Sequence, residues 1–509
     1  MKKNRLVFLS IASLLVLSAC GGSQDSGATS SSSEEASTTS ESTPSEEQPS
    51  SSSEEEENCV IKEDTTITIW TTYNDTYQAI INKAIDAFKL VEPHVTVNNV
   101  KQQGSYDDLK TMVVNGFAVD NYPDIAAAYP DAVSDFILNA KALNIEPYML
   151  DEEIGWTEED FDDIPEAYIE MGQQYIIPGT YSLPASKSTE ALYYNQDVLI
   201  GLNLSGVDAT INDGKPLNEA YFNSLTWEEL FEKLVPALDA YDQSLDSKSK
   251  IIDRTTYADW AWVGYDSDDN FFITLAEQYG YGYTGIDQIT GNGKILFNND
   301  DMKGLMKKFV GYYNNHYFTT KGVIKENVNY RSTKDAMLFS IGSTGGVKYQ
   351  FDDKNPHNVG VAPLPYGATG QRKIISQGPD LAFLNHKNEN RSKATWLFYK
   401  FFTNTDFNCE WAINSGYSPI RYSVLETEDY AKYADTNQPD QTLDRLCAYN
   451  AQYAATVGDY LFTSPVFKGS SEARNQVGTI FAACAAAADL DAEIDGIFQT
   501  AEDNTRLKM

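Results

Sequence analysis

The chain has 509 residues with 38 basic against 74 acidic side chains, a net charge of −36. That length accommodates two or three domains, and so acidic a balance excludes a surface built to track nucleic-acid phosphates or to hold an anionic bilayer by charge. Hydrophobic residues make up 42% and aromatic residues 12%, which excludes disorder throughout and leaves rings for recognition once the cores are filled.

In chain order, Met1 to Arg5 is positively charged and Leu6 to Leu17 is apolar, too short a run to span a ~30 Å hydrocarbon core, so residues 1–19 read as an export signal. Leu17-Ser18-Ala19-Cys20-Gly21 resembles the bacterial lipobox, which implies that Cys20 is diacylated and becomes the first mature residue. Residues 20–60 are then a Ser/Glu-rich tether. It lacks aromatic residues up to Glu57 and cannot bury enough apolar area to offset chain entropy. The expected location is the extracytoplasmic face of a cell membrane, most simply a Gram-positive surface, held by lipid alone. Four further cysteines, Cys59, Cys409, Cys447 and Cys484, allow three pairings or none.

From Thr65 the pattern alternates. Thr66 to Trp70 reads as a strand, Tyr77 to Val91 as a helix with Ile80, Ile81, Ala84, Ile85 and Phe88 on one face, and Val95 to Val97 as a second strand. Ser105 caps a helix that Gly116 ends, and Pro123 to Ala126 enters a third strand. Strand–helix–strand repetition predicts a mainly parallel sheet with helices on both faces. Thr226-Trp227-Glu228-Glu229 reads as a capping box opening a helix toward Leu238, with further helices over Asp301 to Tyr313 and Ser392 to Phe402. Gly291-Asn292-Gly293-Lys294 lacks the Ser or Thr of a phosphate loop and reads as a hairpin turn.

Catalytic signatures are missing. The four histidines, His94, His316, His357 and His386, have no metal-ligand spacing, and GxSxG is absent. No metal, cofactor or enzymatic activity is expected. Acidic runs such as Asp151-Glu152-Glu153 read as solvated faces.

Ile67-Thr68-Ile69-Trp70, Gly104-Ser105-Tyr106, Pro123-Asp124-Ile125, Leu183-Pro184-Ala185 through Tyr193-Tyr194-Asn195, Thr226 to Leu230, Phe297-Asn298, Ala336-Met337, Ala362 to Pro365, Ser376-Gln377-Gly378 and Ser415 to Pro419 follow one another in an ordered set. From about Thr65 to Phe498 the chain resembles family 1 extracellular solute-binding proteins, the maltose-binding and glycerol-3-phosphate-binding group that serves ABC importers. The resemblance implies an α/β, two-lobe fold of the periplasmic-binding-protein type II, with discontinuous lobes joined by a hinge and ligand in the cleft. Lobe one is expected over 61–188 and 376–425, lobe two over 189–375 and 426–509. It also implies a carbohydrate ligand, an ABC permease partner, a monomer, and no nucleic acid.

By similarity to the glycerol-3-phosphate binders, Tyr106, Ser188, Ser343, Gly378, Tyr417 and Arg474 become cleft candidates. Tyr129 and Asp131, just past a strand end, are added. Tyrosines offer a ring and a hydroxyl to sugars, serines donate and accept, glycine admits close approach, and arginine forks onto anions. Where the phosphate binders carry a Trp, this chain has Asp266-Ser267-Asp268-Asp269-Asn270, so Asp266 and Asp268 are candidates for sugar hydroxyls. Residues 1–60 hold three basic and ten acidic side chains, leaving −29 for the rest, a mean field that opposes an anionic ligand. The expectation is a neutral oligosaccharide or disaccharide. Glycerol-3-phosphate or a glycerophosphodiester is the alternative, followed by a secreted glycosidase or an adhesin.

Overall fold

The computed structural model describes residues 59–509 apart from 288, 369 and 439–441; the signal, Cys20 and the tether up to residue 58 lie outside the described residues. β1 (Thr65–Thr71) alternates buried Ile67 and Ile69 with more exposed neighbours. Asn74 then caps the helix Asp75–Val91 by accepting from the Tyr77 N–H at 3.2 Å, and Ile80, Ile81, Ala84 and Phe88 form its buried face. After β2 (Val95–Lys101), Ser105 and Asp108 make a reciprocal capping box for the helix Tyr106–Gly116. β3 (Ile125–Ala128) is buried throughout and leads into the helix Pro130–Leu138.

β4 (Ser182–Pro184) precedes the first crossing between sheets, and β5 (Glu190–Asn195) follows it. β6 (Val263–Tyr265), the β7–β8 hairpin (Thr284–Ile286, Gly293–Ile295), β9 (Phe318–Thr320), β10 (Phe339–Ser343), β11 (Val359–Ala362) and β12 (Ile374–Ile375) come next. β13 (Asp380–Phe383) returns to the first sheet, and β14 (Leu461–Phe462) pairs with β12. The first sheet runs β2-β1-β3-β13-β4 and the second β11-β5-β10-β6-β9.

The sheets are mixed, which corrects the expectation of mainly parallel ones. β1 is parallel to β2 and β3, but β13 lies antiparallel to β3 and β4. In the second sheet β5 is antiparallel to both β10 and β11. The reversed strands are the ones that the chain enters from the other lobe, so no right-handed crossover constrains their direction. The Thr226 cap also forms by half. Its hydroxyl accepts from the Glu229 N–H at 3.0 Å, but the Glu229 carboxylate goes to Tyr221 and Lys233 instead of the cap.

Each sheet has its own core. Ile67, Phe88, Phe136, Leu183, Phe383, Trp396 and Trp411 belong to one, and Trp227, Trp262, Phe271, Phe309, Phe339 and Phe481 to the other. Between them the crossing segments pair edge to edge: Lys187 with Ser418 and Ser188 with Gln377, through N–H···O bonds of 2.7–3.1 Å. Cys409, Cys447 and Cys484 are buried thiols outside any disulfide, and Cys59 is buried with its Sγ 3.4 Å from the Ile61 carbonyl oxygen.

Candidate ligand-binding cleft

Chain segments that leave the carboxyl ends of β2, β3, β6, β9 and β10 meet around a cavity of about 740 Å³, the place where open α/β sheets hold ligands. On the first lobe the wall is Ser105, Tyr106 and Asp107 at a helix start, with Tyr129 and Asp131 after β3. The Tyr106 and Tyr129 rings meet edge to face at 5.3 Å. Burial pushes the Tyr129 phenol up to about 12 and raises that of Tyr106 well above the usual tyrosine value, so both stay protonated donors. Tyr417, just after the helix Thr405–Ser415, continues this face, backed by Tyr77 at 6.4 Å, which itself packs on Trp411 at 4.9 Å.

The second lobe supplies a polar wall. Its Ser343 hydroxyl lies 3.4 Å from that of Ser188 on the first crossing, and Asp266 accepts from the Val328 N–H at 3.0 Å while burial raises its carboxyl. Arg474, 30% exposed by its side chain, places Nε 2.6 Å from Asp269 Oδ2 and donates Nη2 to Asn270 Oδ1. Asn270 can then only donate onward, and its Nδ2 lies 3.0 Å from Glu190 Oε1; Tyr265 donates to the other Glu190 oxygen. A single polarity therefore runs from Arg474 through Asn270 to Glu190.

Of the residues that the sequence points to, Tyr106, Tyr129, Asp131, Ser188, Asp266, Ser343, Tyr417 and Arg474 line this one cavity. Asp268 and Gly378 are placed elsewhere. Asp268 accepts from the Thr320 hydroxyl and, at 2.7 Å, from the Gly322 N–H, so it ties its helix to the segment after β9. Gly378, at φ +98°, packs behind Tyr417, with a Cβ position 3.4 Å from that ring and from the Ser186 carbonyl oxygen. Glu190, Asn270, Asp107 and Tyr283 also line the cavity without having been singled out. For Glu190 one signal existed: an acid heading the otherwise apolar run Ala191-Leu192-Tyr193-Tyr194, where a sheet interior has no use for charge.

Glu190 is 0% exposed, and burial pushes its carboxyl up to about 7, against the opposing hydrogen bonds from Tyr265 and Asn270. A folded value above the unfolded value near 4.5 means that the folded state holds the proton more tightly. Stability from this group is therefore complete below about 4.5 and declines as pH rises to about 7, by roughly 3 kcal/mol in all. Glu190→Gln is expected to remove that decline, read as the difference in urea midpoint between the two proteins from pH 5 to pH 8.

Among the described residues no group of three or more His, Cys, Asp or Glu is placed to hold a metal ion, and no helix is long and apolar enough to cross a membrane. Residues 83–438 match the model of the bacterial extracellular solute-binding protein family. The chain belongs to that family. Its work is accordingly to bind a solute outside the cytoplasm. No curated protein matches the sequence. Among solved structures, the chain is similar to UgpB from Mycobacterium tuberculosis in complex with glycerophosphocholine, at 16% identity and TM-score 0.64, over 87% of this chain and 98% of that one. It is similar to the GacH receptor of Streptomyces glaucescens, studied unliganded and with acarbose, at 15% and 0.60 over 87% and 98%. Lmo0181 from Listeria monocytogenes, in complex with cycloalternan, gives 12% and 0.61 over 87% and 99%. At these identities the likeness is one of fold, the two-lobe solute-binding architecture.

Proposed function

We propose that this solute-binding protein captures a neutral disaccharide or oligosaccharide between its lobes and delivers it, as a monomer, to an ABC permease. The observation that carries the reading is the state of Arg474. Its charge is taken up by Asp269 at 2.6 Å and a second nitrogen is engaged by Asn270, so this guanidinium reaches a phosphate only by giving up partners it already holds, and the other cationic side chain of the lining, Lys321, is exposed to solvent. Facing it, the Tyr106, Tyr129 and Tyr417 rings supply apolar surface for sugar C–H groups, while Ser188, Ser343, Asp131 and Asp266 supply hydroxyl partners. Closure around such a ligand requires contacts that both lobes make only when shut.

A second reading has its own support. Asp107 and Asp131 line the tyrosine wall and form no ion pair among the described residues, and burial followed by Asp131 raises the Asp107 carboxyl. A zwitterion such as glycerophosphocholine, the ligand of the UgpB complex, could place its cation there. A thermal-shift screen separates the two, since a ligand at ~100 times its dissociation constant adds ~2.7 kcal/mol to folded-state stability. Neutral oligosaccharides are expected to raise the melting temperature; a rise confined to glycerophosphodiesters or glycerol phosphate overturns the first reading.

Anchoring through diacylated Cys20 is part of the same proposal. Palmitate is expected to label the mature protein and to be lost in Cys20→Ser, whereas label that persists in that variant rules the site out.

A further inference from the structure

A second cavity, of about 540 Å³, lies on the other side of the crossing segments. Ser376 and Thr463 line both it and the cleft, so the two spaces share a wall at the hinge. Its interior is apolar: Met171, Ile420 and Phe462 line it, with Leu425 toward solvent. Tyr168 and Tyr422 add two phenols, adjacent enough that Tyr422, after burial, contributes to pushing Tyr168 up to about 12.

The charges around this cavity are one-sided. Glu166, Glu170 and Asp459 line it, are exposed, and form no ion pair among the described residues. Arg421, the one basic residue of the lining, is buried and already committed: Nη1 lies 3.0 Å from both Asp160 and Asp163, and Nε donates to the Thr403 carbonyl oxygen at 2.6 Å. The site therefore combines an apolar interior, two aromatic rings and uncompensated negative charge. An anion is repelled, a neutral sugar leaves the three carboxylates without a counter-charge, and an alkyl or aryl ammonium satisfies all three features.

We propose that this hinge cavity binds a small amphipathic cation, its apolar body against Met171, Ile420 and Phe462 and its positive group among Glu166, Glu170 and Asp459 beside Tyr168 and Tyr422. The site is separate from the cleft and does not depend on what the cleft binds.

Calorimetric titration with benzyltrimethylammonium, benzyl alcohol and benzoate tests it on the intact folded chain. The cation is expected to bind saturably with one-to-one stoichiometry, the alcohol at least tenfold more weakly, and benzoate not at all. Glu166→Lys with Glu170→Lys, both on exposed positions that the fold does not lean on, is expected to weaken the cation at least tenfold. Met171→Trp, which fills the cavity, is expected to abolish binding, and if that variant does not fold the charge reversal decides alone. No saturable binding of the cation, equal binding of all three probes, or binding unchanged by the charge reversal overturns the proposal.

Discussion

Replacing Lys187 with methionine is expected to destabilise the folded chain by about 3–5 kcal/mol, the range for stranding one member of a buried ion pair. Lys187 Nζ lies 2.6 Å from Asp380 Oδ1, with the two side chains 4% and 0% exposed. The other Asp380 oxygen accepts from the Ser182 hydroxyl at 3.0 Å. Without the ammonium, a carboxylate is left in the interior with one neutral donor. The pair joins the first crossing, at Lys187, to the start of β13 just after the second, so the loss falls on the joint between the lobes. Lys187→Met combined with Asp380→Asn removes both charges and is expected to recover most of the stability in urea unfolding. The exposed pair Lys83–Glu410, also at 2.6 Å but with Lys83 at 64% exposure, gives the contrast: Lys83→Met is expected to cost under about 1 kcal/mol.

Gly345→Val is expected to weaken ligand binding by roughly 5- to 150-fold. Gly345 lies on the second lobe just after β10, and a Cβ there falls 2.6 Å from the ring of Tyr417, which follows the helix Thr405–Ser415 of the first lobe. Its backbone is outside the left-handed region, so the collision and not φ strain is the whole effect. Forcing extra methyl groups into a filled contact costs about 1–3 kcal/mol, and a clash located where one lobe meets the other is relieved by holding the lobes apart. That converts the strain into lost closure, hence lost affinity at 1.4 kcal/mol per factor of ten. Calorimetry on the variant reads the affinity, and small-angle scattering is expected to show a larger radius of gyration than the parent protein.

What the sequence makes legible is local. Ser105 as a cap, the helix face of Ile80, Ile81, Ala84 and Phe88, and the strand at Thr66 to Trp70 act within a few residues, and each appears in the structure as a cap, a buried helix face or a strand. The Gly291-Asn292 turn likewise closes the β7–β8 hairpin. Direction of pairing is not local: nothing in Asp380 to Phe383 announces that the strand runs against β3, because that depends on where the chain comes from. The acidic segment shows the same limit at the scale of one residue. Asp268 and Asp269 begin one helix about 100° apart around its axis; Asp268 turns to Thr320 and Gly322, whereas Asp269 turns to the cleft and Arg474. Glu190, Asn270 and Arg474 are 80 and 204 positions apart along their hydrogen-bonded chain, a separation no motif reports.

The most direct measurement of the central claim is a calorimetric titration of the protein with neutral di- to tetrasaccharides beside glycerophosphocholine and glycerol-3-phosphate, repeated with Tyr106→Ala and Tyr417→Ala. The account predicts saturable binding of at least one neutral saccharide, an affinity insensitive to added salt because no net charge is paired, and loss of that binding in both tyrosine variants while they remain folded. Heat only from the phosphate-bearing compounds, weakening as salt is raised and abolished by Arg474→Gln, would contradict it.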